Sequence, residues 1–496
     1  MHDNLLPLSN ASLKDINKEI RVPRYDRDKI TPGIVHIGVG NFHRAHQCWY
    51  LHRLMQEGLA LDWGIIGAGV RLADEHQRLK LKKQDYLTTL IELDPNYCSA
   101  EVVGPLIGFV PVEENNSALI EQLTDAAIRI VSLTVTEGGY YIDPVSKKFD
   151  PTHPEIQFDI SNPNTPKTAF GALVAALKKR RAKSLSPFTC LSCDNLQGNG
   201  DILRETVVTL ASFSDSDLAN WIDTNCTFPN SMVDCIVPST GERELALAHD
   251  VGIADEVPVS HENFRQWVIE DKFCSGRPNW EHVGAQFTND VYLYEKMKLR
   301  ILNAGHQLIA NAGELLSIEL ISGCMRHKLI GDYFAKVANE EIAPHVKNLP
   351  DMNVQNYVKL VTERFLNVNI LDTVRRVAFD GSSRHTGFVL PIIRDAIDAE
   401  TPVSGLLLSQ AIWARMCAGW RENGTEIIEN DPFWEQLNLK AIEAKDAPLI
   451  WLEQDHIYGD LVLNSAVRNE FTVWSESIWS EGIERTLFKY LKGQTL

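Results

Sequence analysis

Residues 34–46 read IVHIGVGNFHRAH. A short, largely β-branched run, Ile34 to Ile37, stops at Gly38-Val39-Gly40 and gives way to a helix-compatible segment. A strand that passes through two closely spaced glycines into a helix is the opening of a dinucleotide-binding fold. The first glycine takes a tight turn, and the second removes a side chain where a pyrophosphate must approach. The helix N-terminus then offers free N–H groups to the anion. The third glycine of the usual fingerprint is missing, and His43 stands in its place. The candidate cofactor-binding residues are therefore Ile37, Gly38, Val39, Gly40, Asn41, Phe42, His43 and Arg44.

Outward from this turn, WGIIGAG (63–69) is a second apolar run, followed by VRLADE. The acidic residue that grips an adenosine ribose belongs after the second strand, which makes Asp74 the candidate. A carboxylate there favours NAD and repels a 2′-phosphate, while the neighbouring Arg71 keeps NADP open as the weaker alternative. The competing reading of Asp74 is a helix cap. Further candidate strands are 86–93, 101–110, 129–140 and 188–195, with the helical stretch KTAFGALVAALKKRRAK (167–183) among them. Strands alternating with helices imply a mostly parallel sheet covered on both faces. After about residue 290 long helical patterns dominate. The expected class is α/β: an N-terminal arm (1–30), a Rossmann-like NAD-binding domain (31–290) and a mainly α-helical C-terminal substrate domain (291–496).

The 496 residues are 44% apolar and 23% charged, with a formal net charge of −18. That charge opposes nucleic acid and anionic membrane as partners and leaves small-molecule chemistry open. No run of about 18 apolar residues suggests a spanning helix, and the first residues lack the pattern of a secretory leader. Nine scattered cysteines are an odd count and not a disulfide framework; a reducing, cytoplasmic compartment is expected. Cys190 and Cys193 form a C-x-x-C, but in a strand two side chains three apart face opposite ways. No metal site is expected, and no oligomeric state is assigned.

The stretch KMKLRILNAGH (296–306) sets Lys298, Asn303 and His306 in an apolar, helix-favouring run. At about 100° per residue, Asn303 falls about 140° from Lys298 and His306 about 80°, so all three can share one side over roughly 12 Å of axis. The bland reading is a solvated lysine, a local asparagine turn and a core histidine. The chemical reading is alcohol oxidation, which needs a base for the hydroxyl proton and donors for the developing alkoxide. Desolvation makes a lysine amine a usable base, and an asparagine amide donates without titrating.

Together IVHIGVGNFHRAH, IVSLTVTEGGY, SCDN, FRQWVIEDKFCSGRP, MKLRILNAGH and DGSSR resemble the long-chain, zinc-independent polyol dehydrogenases, from about residue 22 to beyond 385. The resemblance implies Lys298 as acid/base and Asn303 with Asn195 as the pair that holds the reacting oxygen. It implies His306 as a substrate-positioning residue and Glu137 as a proton carrier. Asp234, Arg376 and Arg384 would line or support the polyol pocket. The implied reaction is NAD-dependent oxidation of a sugar alcohol to a ketose, of the mannitol-to-fructose type, and its reverse. Alternatives are reduction of a keto-uronate such as fructuronate, or action on arabinitol or sorbitol; a nucleotide-binding scaffold without turnover is the reading from another class. The chain departs from the family pattern at Cys235, where arginine is usual, at Asn263, where proline is usual, and at Arg384, where lysine is common.

Overall fold

Two-residue alternation along five short strands builds the first half of the molecule. The computed structural model describes residues 5–143 and 148–493, and the chain divides into Met1–Tyr292 and Leu293–Leu496. In the first unit Pro32–Ile37 (β1), Gly64–Ala68 (β2), Leu106–Phe109 (β3), Ile130–Leu133 (β4) and Thr189–Ser192 (β5) form a sheet in the order β3-β2-β1-β4-β5. Every pairing is parallel. Successive side chains point to opposite faces. Val35, Ile37, Val131, Leu133 and Cys190 meet the helices Ser117–Thr124, Ala169–Ala182, Asn199–Ser212 and Ser216–Asn225. Ile34, Ile65, Ile130 and Leu191 pack under Gln47–Gln56, Trp267 and Trp280. This strand order places the turn after β1 where doubly wound sheets bind nucleotides. Cys190 and Cys193 lie in these two different cores.

Two expected strands of the main sheet are placed otherwise. Thr88–Leu93 pairs antiparallel with Cys98–Val103 and parallel with Val259–Glu262 in a separate sheet. The stretch 101–110 is divided at Gly104-Pro105, so its first part joins that small sheet and its second part is β3. Proline has no N–H for a ladder; its carbonyl instead accepts from Ile65 N at 2.9 Å. The N-terminal arm is docked as well: Leu6–Pro7 pairs with Ile253–Ala254, and Leu8, Ile16 and Ile20 are buried with Leu87 and Val102.

The second unit has no named strand among its described residues. Its centre is the helix Ala304–Leu315, in which every residue is buried, as expected of a helix surrounded by others. Three π-helical turns interrupt the helices, at Lys298–Asn303, Ala338–Ile342 and His385–Val389. Among the described residues no helix is long and apolar enough to cross a membrane.

Candidate active site

Several predicted residues of the first unit follow the C-terminal ends of the parallel strands: the glycine turn after β1, Glu137 after β4 and Asn195 after β5. Gly38 follows β1 with φ +94°, and a Cβ there would lie 2.2 Å from the Thr134 carbonyl oxygen. Only glycine fits. Its N–H donates to Ala68 O at 2.9 Å, and its carbonyl accepts from Thr134 Oγ1 at 2.7 Å. Gly40 differs, because the nearest atom to a Cβ there is 3.9 Å away. The second glycine thus leaves open space beside the turn, the cradle a pyrophosphate needs. Ile37 and Val39 are buried and anchor the turn in the cores.

The side chains just beyond the turn make interior contacts. His43 is buried and stacks on His36 with centroids 3.4 Å apart, while its Nδ1 lies 3.3 Å from Gln47 Oε1. Burial holds the His43 imidazole well below its usual range, with His36 beside it adding to the effect. Arg44 is buried too. It donates to Gly40 O, to Asn41 Oδ1 at 2.7 Å and to the Val257 carbonyl. Burial pulls its guanidinium down to about 10. Asn41 donates to Pro238 O and Thr240 Oγ1, each at 2.9 Å. Phe42 stacks on His46 at 4.8 Å. Arg44 and Asn41 therefore tie the turn to residues 238–258.

Asp74 caps a helix. It is the third residue of the helix Leu72–Lys83, and its Oδ2 accepts from Val70 N at 3.0 Å and Arg71 N at 2.9 Å. The side chain is partly exposed, and both cap bonds fall on Oδ2.

At the far side of the sheet Glu137 opens a short 3₁₀ turn, Glu137–Tyr140, just after β4; its side chain lies outside the described residues. Asn195 follows β5 on an exposed bend. Asp194, which the sequence reading passed over, joins these two segments. It accepts from Val135 N at 3.1 Å, Thr136 N at 2.8 Å and Tyr140 Oη at 2.8 Å. Thr136 is held at φ +68° between those contacts. Asp234 is buried at the end of the strand Ser231–Asp234. Ser231 Oγ donates to Ser192 O at 2.6 Å, linking that strand to the end of β5. The unusual residues nearby are locally accommodated: Asn263 Nδ2 donates to Asp94 Oδ2 at 2.6 Å, and Cys235 is partly buried and in no disulfide.

In the second unit Lys298, Asn303 and His306 lie on one continuous helix, and all three are buried at 8–9% exposure. The α-helical angles expected for them do not apply. Lys298–Asn303 is a π turn, and Ala304 N–H reaches back five residues to Leu299 O. An i→i+5 ladder sets residues five apart nearly above one another, so Lys298 and Asn303 share a face more closely than an α-helix allows. His306 stacks on Phe365 at 4.2 Å. Its Nε2 lies 3.8 Å from Asp372 Oδ2.

Asp372, also absent from the sequence reading, connects the predicted substrate residues. Its Oδ1 accepts from Arg376 Nε at 2.8 Å, and Arg376 Nη2 lies 2.7 Å from the same oxygen. Burial raises the Asp372 carboxyl, against the pull of Arg376 and Arg384. Arg384 Nη1 donates to Val377 O at 2.8 Å, directly before the π turn His385–Val389. An aspartate four residues before an arginine in LDTVRR was the available signal. Glu295, buried three residues before Lys298, was likewise passed over. Among the described residues no group of three or more His, Cys, Asp or Glu is placed to hold a metal ion.

Comparison with known proteins covers nearly the whole chain. Family models described as the mannitol dehydrogenase Rossmann domain and the mannitol dehydrogenase C-terminal domain match residues 32–282 and 290–479. A mannitol 2-dehydrogenase of Cereibacter sphaeroides is 49% identical over 96% of this chain and 100% of its own. One from Aspergillus terreus is 38% identical over 98% and 99%. Among solved structures, the Pseudomonas fluorescens mannitol 2-dehydrogenase ternary complex with NAD and D-mannitol superposes with a TM-score of 0.89 at 37% identity, covering 98% of this chain and 100% of the other. A D-sorbitol dehydrogenase in substrate-free form gives 0.88 at 32% identity, covering 97% and 100%.

Proposed function

The chain belongs to the mannitol dehydrogenase family, and from that premise we propose that it oxidises D-mannitol to fructose with NAD, and reduces fructose in the reverse direction. The observation that carries the chemistry is the π turn, which sets a buried lysine and a buried asparagine on one face with His306 a turn beyond. A solved relative of 37% identity contains both NAD and D-mannitol. The sorbitol dehydrogenase likeness supports a related polyol as the second reading.

The residues after β1 fit the cofactor: a glycine that only glycine can replace, a second with open space above it, and a ribose-side carboxylate at Asp74. NAD, when bound, supplies the hydride acceptor. The remaining steps fall to the chain. Lys298 takes the proton of the reacting hydroxyl as the general base. Asn303 and Asn195 donate to the oxygen as negative charge develops, without proton transfer of their own. His306, held against Phe365, orients the substrate hydroxyls. Glu137 hands the proton onward to water. Asp234, Arg376 and Arg384 bind the rest of the polyol.

We place the enzyme in the cytoplasm, a reading supported by nine cysteines, none of which is in a disulfide. The net charge of −18 argues against nucleic acid and anionic membrane as partners. The domain limits 31–290 and 291–496 are proposed as the working boundaries. The test is initial-rate kinetics with mannitol, sorbitol, arabinitol, fructose and fructuronate, with NAD(H) and NADP(H), in the presence of EDTA. Mannitol and fructose turnover with NAD(H) is expected, undiminished by the chelator. Turnover of fructuronate alone overturns the polyol reading, and a loss restored by zinc overturns the metal-free mechanism.

A further inference from the structure

A sugar acid and a polyol differ by one carboxylate, and a site that prefers the polyol must deny that carboxylate a cationic partner. Arg376 and Arg384 are the cations assigned to the substrate. Two adjacent N–H donors of a guanidinium form the fork that grips a carboxylate in bidentate fashion. On Arg376 one such edge, Nε with Nη2, is already turned to Asp372 Oδ1, at 2.8 and 2.7 Å. Arg384 Nη1 is taken by Val377 O. Asp372 itself cannot drift away. It is 5% exposed, its carbonyl accepts from Ile321 N at 3.0 Å, and its Oδ2 faces His306 Nε2 at 3.8 Å. Arg376, by contrast, has a side chain 60% exposed. The buried partner therefore sets where the mobile one points.

We infer that Asp372 is a specificity-determining residue: by occupying one carboxylate-binding edge of Arg376 with an internal carboxylate and offsetting its charge, it turns the site toward neutral polyols and against sugar acids. The inference rests on the polyol reading above and deepens it. Neutral hydroxyls lose little by this arrangement, because a single N–H or an acceptor oxygen suffices for them. A substrate carboxylate must either displace Asp372 or take the remaining Nη1/Nη2 edge, where the charge of Arg376 is already offset by Asp372 and a like charge stands nearby.

The experiment measures competitive inhibition by D-mannonate, the sugar acid with the carbon skeleton of mannitol, against mannitol at saturating NAD, with the full chain. Asp372→Asn is expected to lower the Ki of D-mannonate at least about tenfold relative to the KM for mannitol, and Asp372→Glu to keep the wild-type ratio. The double variant Asp372→Asn/Arg376→Gln is expected to lose the gain, a reversal that a merely structural aspartate does not produce. Arg376→Gln alone, at an exposed position, covers the case in which Asp372→Asn fails to fold: its Ki for D-mannonate is expected within about twofold of wild type. A tenfold weaker Ki in Arg376→Gln, or an unchanged ratio in folded Asp372→Asn, overturns the inference while leaving polyol oxidation intact. Absence of mannitol turnover in the wild type instead overturns the polyol reading on which it rests.

Discussion

The glycine turn after β1 and the π turn at Lys298–Asn303 solve opposite problems. In the first, the proposed working surface is the backbone; His43 stacks on His36 in the interior, and Arg44 is buried with its donors on Gly40, Asn41 and Val257. In the second, the proposed working surface is the side chains, and a π register in the backbone brings them onto one face. An extra residue in the turn moves Asn303 toward the face of Lys298. A cofactor phosphate can be held by amide groups, which every residue has. Proton transfer to a hydroxyl needs a particular amine at a particular place. Substitutions should therefore act through side-chain chemistry at the π turn and through space and backbone conformation at the glycine turn.

The largest expected effect tests the side-chain half of that contrast. Lys298→Ala should lower kcat at least about 100-fold, equal to about 2.7 kcal/mol of barrier, as removal of a general base does. NAD binding, followed by nucleotide fluorescence or calorimetry, should stay within about twofold. A near-normal kcat breaks the assignment of the π turn as the chemical centre.

The backbone half is tested by two alanines that differ in backbone conformation and in what surrounds them. Gly38→Ala puts a Cβ against the Thr134 carbonyl at a left-handed φ, so it should destabilise the fold by about 2 kcal/mol, read by urea denaturation. Gly40→Ala meets no atom closer than 3.9 Å, so stability should hold within about 0.5 kcal/mol. Its methyl group fills the cradle, however, and the KM for NAD should rise about tenfold. Equal stability losses in the two variants would erase the distinction between a glycine the fold needs and a glycine the ligand needs.

The legibility of these regions in the amino-acid sequence follows from the same physics. A β-branched run ending in Gly-x-Gly announces its turn locally, because the conformation demanded of Gly38 is a property of that one residue. The direction of His43 and Arg44 is not local. The helix that carries them is only Asn41–Ala45 and breaks at His46, with φ −119° and ψ −88°, too short for a periodic face to be read. The π turn is equally hidden, since an apolar run with three polar residues reads as α-helix until the i→i+5 register is seen. Lys298, Asn303 and His306 were found through their spacing within a known motif. Asp372 was missed because its partner His306 lies 66 residues away in sequence. The division of 101–110 between two sheets could have been anticipated from Gly104-Pro105, whose proline lacks a ladder donor.

Asp74 is where the two kinds of work meet in one side chain, and the effect expected there is the smallest. Its Oδ2 holds the N–H groups of Val70 and Arg71 at the start of the helix Leu72–Lys83, which is fold; the other oxygen is assigned to a ribose, which is function. Asp74→Ala removes both, so it should cost about 1 kcal/mol of stability, typical for a lost cap, and lower the NAD:NADP ratio of kcat/KM several-fold. Asp74→Asn separates them. The amide oxygen can still accept from the two N–H groups, and stability should recover to within about 0.5 kcal/mol. The amide carries no charge to repel a 2′-phosphate, so the cofactor ratio should stay low. Recovery of both properties together would mean that Asp74 reads the cofactor only through the helix it caps, and the glycine turn region would then contain no side chain that selects its ligand.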